Sequence, residues 1–153
     1  MGTLSADEGF TERLQFISDR FRKGLWASSE PFISGYGLHA YHIPVLVAVG
    51  DNPGISQKGL REHVMYDKSR ISTIIFELTL LKMVEDCSET KVSSLVLTDL
   101  GKEVFSGIRS VIADFCSKLL DGIPDAEISV FVACLNKIDG NLSAIIGDDS
   151  LKM

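Results

Sequence analysis

Apolar residues recur at helical spacing in several long stretches of the chain. In residues 11–27 they fall three and four positions apart, which is typical of an amphipathic helix. Residues 45–49 are apolar nearly all round, so we expect the central buried helix there. Two further long helices are predicted over residues 98–120 and 128–142, and Gly122-Ile123-Pro124 separates them.

Two shorter helical segments lie between the central helix and the C-terminal pair. Ser56 can cap a short helix whose apolar face contains Leu60 and Val64, four residues apart. Asp67 can cap the next helix, whose apolar stripe is Ile71, Ile74, Ile75, Leu78 and Leu81. Because only residues 65–66 remain between them, the pattern predicts a helix-turn-helix.

The helical period ends at Lys82. Met83 and Val84 precede the polar run 86–91, and a second apolar group follows it, namely Val92, Leu95, Val96 and Leu97. This pattern predicts a two-stranded hairpin with a polar tip, after which Thr98 caps another helix. The predicted fold class is therefore mainly α with a small β-hairpin wing (α+β), a winged helix-turn-helix with flanking helices.

Four segments in this region resemble the MarR-type (multiple antibiotic resistance regulator) transcription factors of prokaryotes. They are I-S-Q at 55–57, D-K-S-R-I-S at 67–72, E-L-T-L-L-K-M-V-E at 77–85 and L-T-D-L-G at 97–101. The resemblance implies a homodimeric DNA-binding regulator that responds to a small-molecule ligand, with repression as the expected mode. It also implies that the helices near both termini form the dimer interface.

The expected organisation is one domain intertwined across a dimer. Residues 1–37 form an N-terminal arm and dimerisation helix, residues 38–99 the DNA-binding lobe, and residues 100–153 the C-terminal dimerisation helices. The terminal helices carry more apolar surface than a lone chain of this shape could cover, so folding and dimerisation are expected to be coupled. The alternative is a monomer whose helices cover one another.

The second helix of the helix-turn-helix supplies the predicted DNA contacts. If its apolar stripe faces the core, Ser69, Thr73, Phe76 and Leu80 project to the opposite side. Arg70 is the expected guanine reader, because its planar fork matches the O6/N7 acceptor pair. Hydrogen bonds to phosphates or bases are expected from Ser69, Ser72 and Thr73, and phosphate contact from Lys68. The alternative is that all of these are ordinary solvated helix positions.

Two departures from the family pattern bear on DNA binding. Glu89-Thr90-Lys91 occupies the wing tip where the family carries Asp-Arg-Arg, so Lys91 is the only cation there. Phe76 and Leu80 place apolar groups on a face expected to be polar. Phe76 could contact a thymine methyl group. It could equally pack against a protein, which gives the alternative function: a degenerate winged-helix dimer that acts through protein–protein binding with weak or no DNA binding.

The net charge of the chain has only a moderate effect on the prediction of DNA binding. The formal net charge is −6, which argues mildly against a general nucleic-acid binder. Residues 56–91 contain six basic and six acidic residues, and the remainder holds nine against fifteen. The predicted DNA-binding lobe is thus the least acidic part of the chain, but it is not basic.

The three cysteines match no metal or disulfide spacing, so reduced thiols in a cytoplasmic protein are expected. Cys116 and Cys134 fall on predicted apolar helices and should be buried, whereas Cys87 should be exposed in the wing. There it could sense oxidants, although its acidic neighbours disfavour the thiolate. The first nine residues lack the apolar core of a leader peptide, and no apolar run approaches the length that spans a bilayer.

Evidence for an enzyme is absent at the level of sequence. The histidines His39, His42 and His63 form no metal-ligand pattern, and no nucleotide or nucleophile motif occurs, so no metal, cofactor or catalysis is expected. The family implies a pocket for a small aromatic or apolar ligand between the dimer helices and the DNA-binding lobe. The candidate ligand-binding residues are Trp26, Tyr36, His39 and Tyr41. Ordinary core packing explains these four side chains equally well.

Overall fold

A computed structural model describes residues 9–147 of the chain. The elements are α1 (Phe10–Ile33), α2 (Ile43–Asp51), α3 (Gln57–Leu60), α4 (Lys68–Leu80), β1 (Val84–Asp86), β2 (Leu95–Leu97), α5 (Asp99–Leu119) and α6 (Asp125–Ile146). Two single helical turns, Ser34–Tyr36 and Ala40–His42, connect α1 to α2. This order confirms the predicted fold class. The leader-peptide expectation and the outer ends of the 1–37 and 100–153 segments fall on residues outside the described range.

The hydrophobic core lies beneath the helix-turn-helix and is centred on α2, as predicted. Val45 and Leu46 on α2 are fully buried. The predicted stripe of α4 is buried at Ile71, Ile74 and Leu78. Both predicted caps are present: the Ser56 hydroxyl accepts a hydrogen bond from the Gly59 N–H, and the Asp67 carboxylate accepts one from the Arg70 N–H.

Helix α1 extends further than the predicted end at residue 27. It continues through Pro31 to Ile33, although a proline inside a helix removes one backbone hydrogen bond. The extension is stabilised because the Ile33 side chain is fully buried in the core. In addition, the buried Ser29 hydroxyl donates a hydrogen bond of 2.8 Å to the Leu25 carbonyl oxygen.

Helix α3 is shorter than predicted and ends at Leu60. The buried Val64 lies beyond it in a series of turns, where the Val64 N–H donates a hydrogen bond of 3.1 Å to the Leu60 carbonyl oxygen. The connection to α4 is therefore longer than the two residues that the sequence predicted. Spacing alone did not separate a continuing helix from turns that bury the same side chain.

The wing is a two-stranded antiparallel hairpin in which Val84 pairs with Leu97 and Asp86 with Leu95. An isolated bridge between Ile55 and Leu95 ties the hairpin to the segment before α3. At the hairpin base, the Thr98 hydroxyl caps α5 by accepting from the Gly101 N–H, and it donates 2.6 Å to the Lys82 carbonyl oxygen. These bonds fix the wing against the start of α5.

A hydrogen-bonded pair joins the turn Ala40–His42 to α4. His42 is buried, and its Nδ1 accepts from the His39 N–H at 2.9 Å, so its Nε2 carries the proton and donates 2.7 Å to a Glu77 carboxylate oxygen. Burial lowers the pKa of His42 despite the nearby carboxylate. The hydrogen bond from His42 in turn lowers the pKa of Glu77.

Helix α6 differs from the others because none of its residues is buried. Its large exposed side chains are Val130, Phe131, Val132, Leu135, Leu142, Ile145 and Ile146. Cys134 is exposed there and Cys116 on α5 is half-buried, so the expectation of two buried thiols is wrong for the single protomer. Cys87 is exposed after β1, as predicted.

Helix α6 also corrects the expectation about membrane-spanning length. Among the described residues it is long and apolar enough by composition to cross a membrane. The bent pair formed by Phe10–Tyr36 and Ala40–Asp51 is also long and apolar enough when the two helices are taken together. A span by α6 would put Lys137 and Asp139 near the bilayer centre, where each charge costs roughly 2.5–3.5 kcal/mol. The apolar face of α6 therefore fits a protein interface better than lipid.

Replacing Gly101 by alanine should destabilise the fold. An added Cβ would lie 2.1 Å from the Met83 carbonyl oxygen, a backbone atom that also accepts the Thr98 N–H. We expect Gly101→Ala to lower the free energy of unfolding by about 1–3 kcal/mol, as overpacking does. Denaturant titration measures the loss. Gly35→Ala is the matched control, because nothing lies within 4 Å of the added carbon there; equal effects of the two changes would contradict the explanation.

Stability should also fall as the pH drops below about 6.5, the ordinary pKa of histidine. In this range the unfolded chain protonates His42, whereas the folded protein keeps it neutral because its pKa is lowered. The slope from this residue is at most about 1.4 kcal/mol per pH unit. Glu77 has the same sign but acts only below its ordinary pKa of 4.5. His42→Gln keeps a donor and an acceptor, and it should reduce the change of unfolding free energy with pH between pH 5 and 6.5. An unchanged pH dependence in this variant would exclude His42 as its source.

Candidate nucleic-acid interface

The exposed face of α4 is the most prominent feature of the helix-turn-helix. Ser69 and Thr73 lie on it as predicted, and the Thr73 hydroxyl donates 3.1 Å to the Ser69 carbonyl oxygen. Phe76 and Leu80 continue the same face and are 63% and 65% exposed. The face thus combines small hydroxyl side chains at the start of the helix with two uncovered apolar groups near its end.

A cleft of about 570 Å³ lies between α3, the start of α4 and the wing. Four cations line it: Lys58, Arg61, Lys68 and Lys91. Of these, sequence reasoning had selected Lys68 and Lys91 but missed Lys58 and Arg61. A usable signal was their spacing of three residues, which puts both on one side of a short helix.

Two of the acidic residues in this lobe are occupied in structural hydrogen bonds. Asp67 caps α4. Asp86 lines the cleft, and its carboxylate accepts from the backbone N–H groups of Ser88 and Ser94 at 3.0 and 2.9 Å, which lowers the pKa of Asp86. Both carboxylates keep their charge, so the cleft lining holds four cations against the one carboxylate of Asp86, although the lobe as a whole is neutral.

Arg70, the predicted guanine reader, is exposed on the flank of α4. Its guanidinium carbon lies 4.4 Å from the centroid of the Tyr41 ring, in a cation–π contact. Ser72 is exposed on the same helix. Lys68, Ser69, Arg70 and Thr73 thus lie within the first two turns of α4, while Lys91 reaches the cleft from the wing.

An apolar cavity of about 250 Å³ lies between α1, the turn Ala40–His42 and the residue before the α4 cap. It is lined by Arg22, Leu25, Trp26, Ser29, Ala40, Tyr41, Ile43, Pro44 and Tyr66. Two of the four predicted ligand-binding residues, Trp26 and Tyr41, are therefore in its wall. His39 stacks on Tyr41 at 5.4 Å, and Tyr36 packs against Phe32 at 5.4 Å. Sequence reasoning missed Arg22 and Tyr66.

The part of the chain that the structure describes contains no candidate metal site. Among residues 9–147, no group of three or more histidine, cysteine, aspartate or glutamate side chains is placed to hold a metal ion.

The structure is similar to solved structures of MarR-type regulators. A MarR transcriptional regulator from Methanosarcina mazei Go1 matches with a TM-score of 0.77 and 18% identity, over 92% of this chain and 94% of that chain. The transcriptional regulator SlyA matches with a TM-score of 0.76 and 25% identity, over 86% and 94% of the two chains. BpsR from Bordetella bronchiseptica, described as regulated in DNA binding by 6-hydroxynicotinic acid, matches with a TM-score of 0.72 and 17% identity, over 90% and 99%.

Sequence comparison gives no further assignment. No protein-family model matches the chain, and no curated protein matches it. The order of elements, the capped helix pair, the hairpin wing and the structural matches nevertheless agree over about nine tenths of the chain. The chain therefore has the winged helix-turn-helix fold of the MarR-type transcriptional regulators.

Proposed function

We propose that this protein is a homodimeric, sequence-specific DNA-binding transcriptional regulator. The observation that carries the proposal is the cluster of Lys58, Arg61, Lys68 and Lys91 around one cleft, directly beside the exposed start of α4. A recognition helix with cations on its flank is the arrangement that a duplex requires: the helix enters the major groove while the cations neutralise phosphates. The proposed site of action is the cytoplasm, and no catalysis is proposed.

The proposed contacts divide by role. Arg70 reads a guanine edge from the flank of α4, and Ser69, Ser72 and Thr73 bond bases or phosphates. Lys58, Lys68 and Lys91 contact phosphates. Phe76 and Leu80 lie further along the same face, where a thymine methyl group is the complementary partner.

The dimer is proposed from the apolar surface that one protomer leaves uncovered. Helix α6 buries none of its residues, and α1 exposes Phe10, Leu14, Phe16, Ile17, Phe21 and Trp26. Contiguous apolar patches of this kind mark interaction sites. A second copy of the chain supplies a matching surface, because a two-fold interface pairs each patch with itself.

Repression relieved by a ligand is the proposed mode of regulation. The cavity of about 250 Å³ adjoins α1 on one side and Tyr66, next to the α4 cap, on the other. It is slightly smaller than the pockets of about 300–1,000 Å³ that hold drug-sized molecules, so a small aromatic or apolar compound is the expected ligand. The regulation of the structurally similar BpsR by 6-hydroxynicotinic acid supports this chemistry.

Affinity for DNA should depend on salt through the cleft cations. Using the duplex upstream of the protein's own gene, we expect Lys58→Ala or Lys91→Ala to weaken all sequences alike. Each change should reduce the slope of log affinity against log salt by about one unit per subunit. Fluorescence anisotropy at several salt concentrations measures this slope. Lys118→Ala is the control, because Lys118 lies at the far end of α5, about 30 Å from its start at the wing.

Equal slopes for the cleft variants and Lys118→Ala would remove the cleft from the DNA interface. If the wild-type protein prefers no duplex at all, the DNA-binding function fails. Phe76 and Leu80 would then be tested as a protein-binding face.

The oligomeric state provides a separate test. At micromolar concentration, sedimentation should give a mass about twice the 16.7 kDa of one chain. Phe131→Asp should shift the protein to monomer or unfold it, because the interface would bury an unpaired charge. Phe76→Asp is the matched control, since the two phenylalanines are 56% and 63% exposed in the protomer but only Phe131 lies on α6. A monomeric wild type, or a dimer unaffected by Phe131→Asp, would contradict this interface.

A further inference from the structure

The Arg70 guanidinium lies over an aromatic ring, and the nearby Glu77 carboxylate interacts with its charge. The guanidinium carbon lies 4.4 Å from the Tyr41 ring centroid, and the ion pairs among the described residues do not include Arg70. A cation–π contact uses the charge of the guanidinium and not its N–H donors. The contact therefore restrains the Arg70 side chain while its N–H groups can still donate.

The Tyr41 ring is itself held from two sides. Burial and then the Glu77 carboxylate raise the pKa of Tyr41, so its hydroxyl stays protonated and can donate to Glu77. The ring also lies 4.3 Å from the His42 ring centroid. Glu77 follows Arg70 by seven residues, or two helical turns, so both project from the same side of α4. Glu77 thus lies near the Tyr41 hydroxyl, while Arg70 lies over the Tyr41 ring.

The same ring forms part of the wall of the apolar cavity, together with Trp26 and Tyr66. Tyr41 therefore contacts Arg70 and also any molecule that fills the cavity.

We propose that Tyr41 is the positioning residue for Arg70: its ring holds the guanidinium in the orientation that reads one base pair. The inference rests on the proposed DNA-binding function and adds to it the residue that sets specificity. Bidentate contact of an arginine with guanine requires the fork to be correctly directed, so a restrained side chain discriminates better than a free one.

The test compares discrimination rather than affinity. Each base pair of the upstream duplex is changed singly, and the ratio of affinities is measured for wild type, Tyr41→Phe, Tyr41→Leu and Arg70→Ala. Arg70→Ala should lose discrimination at one base pair by on the order of 10-fold or more. Tyr41→Leu should lose a large part of the same discrimination at the same base pair. Tyr41→Phe, which keeps the ring, should retain it.

Two further readouts separate positioning from general damage. Tyr41→Leu should leave the salt slope unchanged, because no charge is removed. The double variant Tyr41→Leu/Arg70→Ala should discriminate no worse than Arg70→Ala alone, since both changes remove one interaction. In the free protein, the Arg70 side-chain protons should show an aromatic ring-current shift by NMR in wild type and Tyr41→Phe, and none in Tyr41→Leu.

Failure of the proposed DNA-binding function and failure of the inference about Tyr41 would give different results. A wild type that discriminates between no duplexes overturns the proposed function, and this inference with it. Wild-type discrimination that survives in Tyr41→Leu but is lost in Arg70→Ala overturns the inference alone, as does an equal loss in Tyr41→Phe and Tyr41→Leu. A ring-current shift that persists in Tyr41→Leu also overturns it, because the contact would then not involve this ring.

Discussion

The hydrogen bond between His42 and Glu77 is the contact on which the arrangement of the candidate site depends. It joins the turn Ala40–His42 to the C-terminal half of α4 over 2.7 Å, and the histidine is almost fully buried. Loss of Glu77 would leave the buried imidazole N–H without a partner, which is costly, so the bond favours one relative position of the two elements. Tyr41 is the residue before His42, and its ring is consequently held against α4, where it meets Arg70.

The sequence was most informative where periodicity and capping agreed. The stripe of α4, the caps Ser56 and Asp67 and the hairpin followed from spacing alone, because burial on one face fixes which residues point inward. The end of α1 and the length of α3 could not be obtained in this way. In both cases the local conformation depends on a side chain that is buried against distant parts of the chain, Ile33 for α1 and Val64 for α3. The local sequence pattern does not contain that information.

Within the candidate site, too, some residues could be predicted from the sequence and others could not. Residues that act from one helix, such as Ser69 and Arg70, could be selected from helical geometry. Lys58, which depends on a distant partner, could not: it is 33 positions from Lys91 and shares a cleft with it only after folding. Net charge was misleading for a related reason. Counting gives a neutral lobe, whereas the effect of a charge depends on where it lies: four cations line one cleft together with a single carboxylate, that of Asp86.

Helix α1 contributes both to the cavity and to the uncovered apolar surface, the two regions that ligand-dependent regulation of a dimer would have to couple. Trp26 and Arg22 on this helix line the cavity, and apolar side chains elsewhere on it, such as Phe16, remain uncovered in the protomer. A partner subunit that packs on α1 would therefore form the outer support of the cavity, whose inner wall includes Tyr41. Subunit association, cavity occupancy and the direction of Arg70 would then share one continuous set of contacts. Because packed interiors transmit small displacements rather than absorb them, a shift of α1 at the interface would alter the space around the Tyr41 ring.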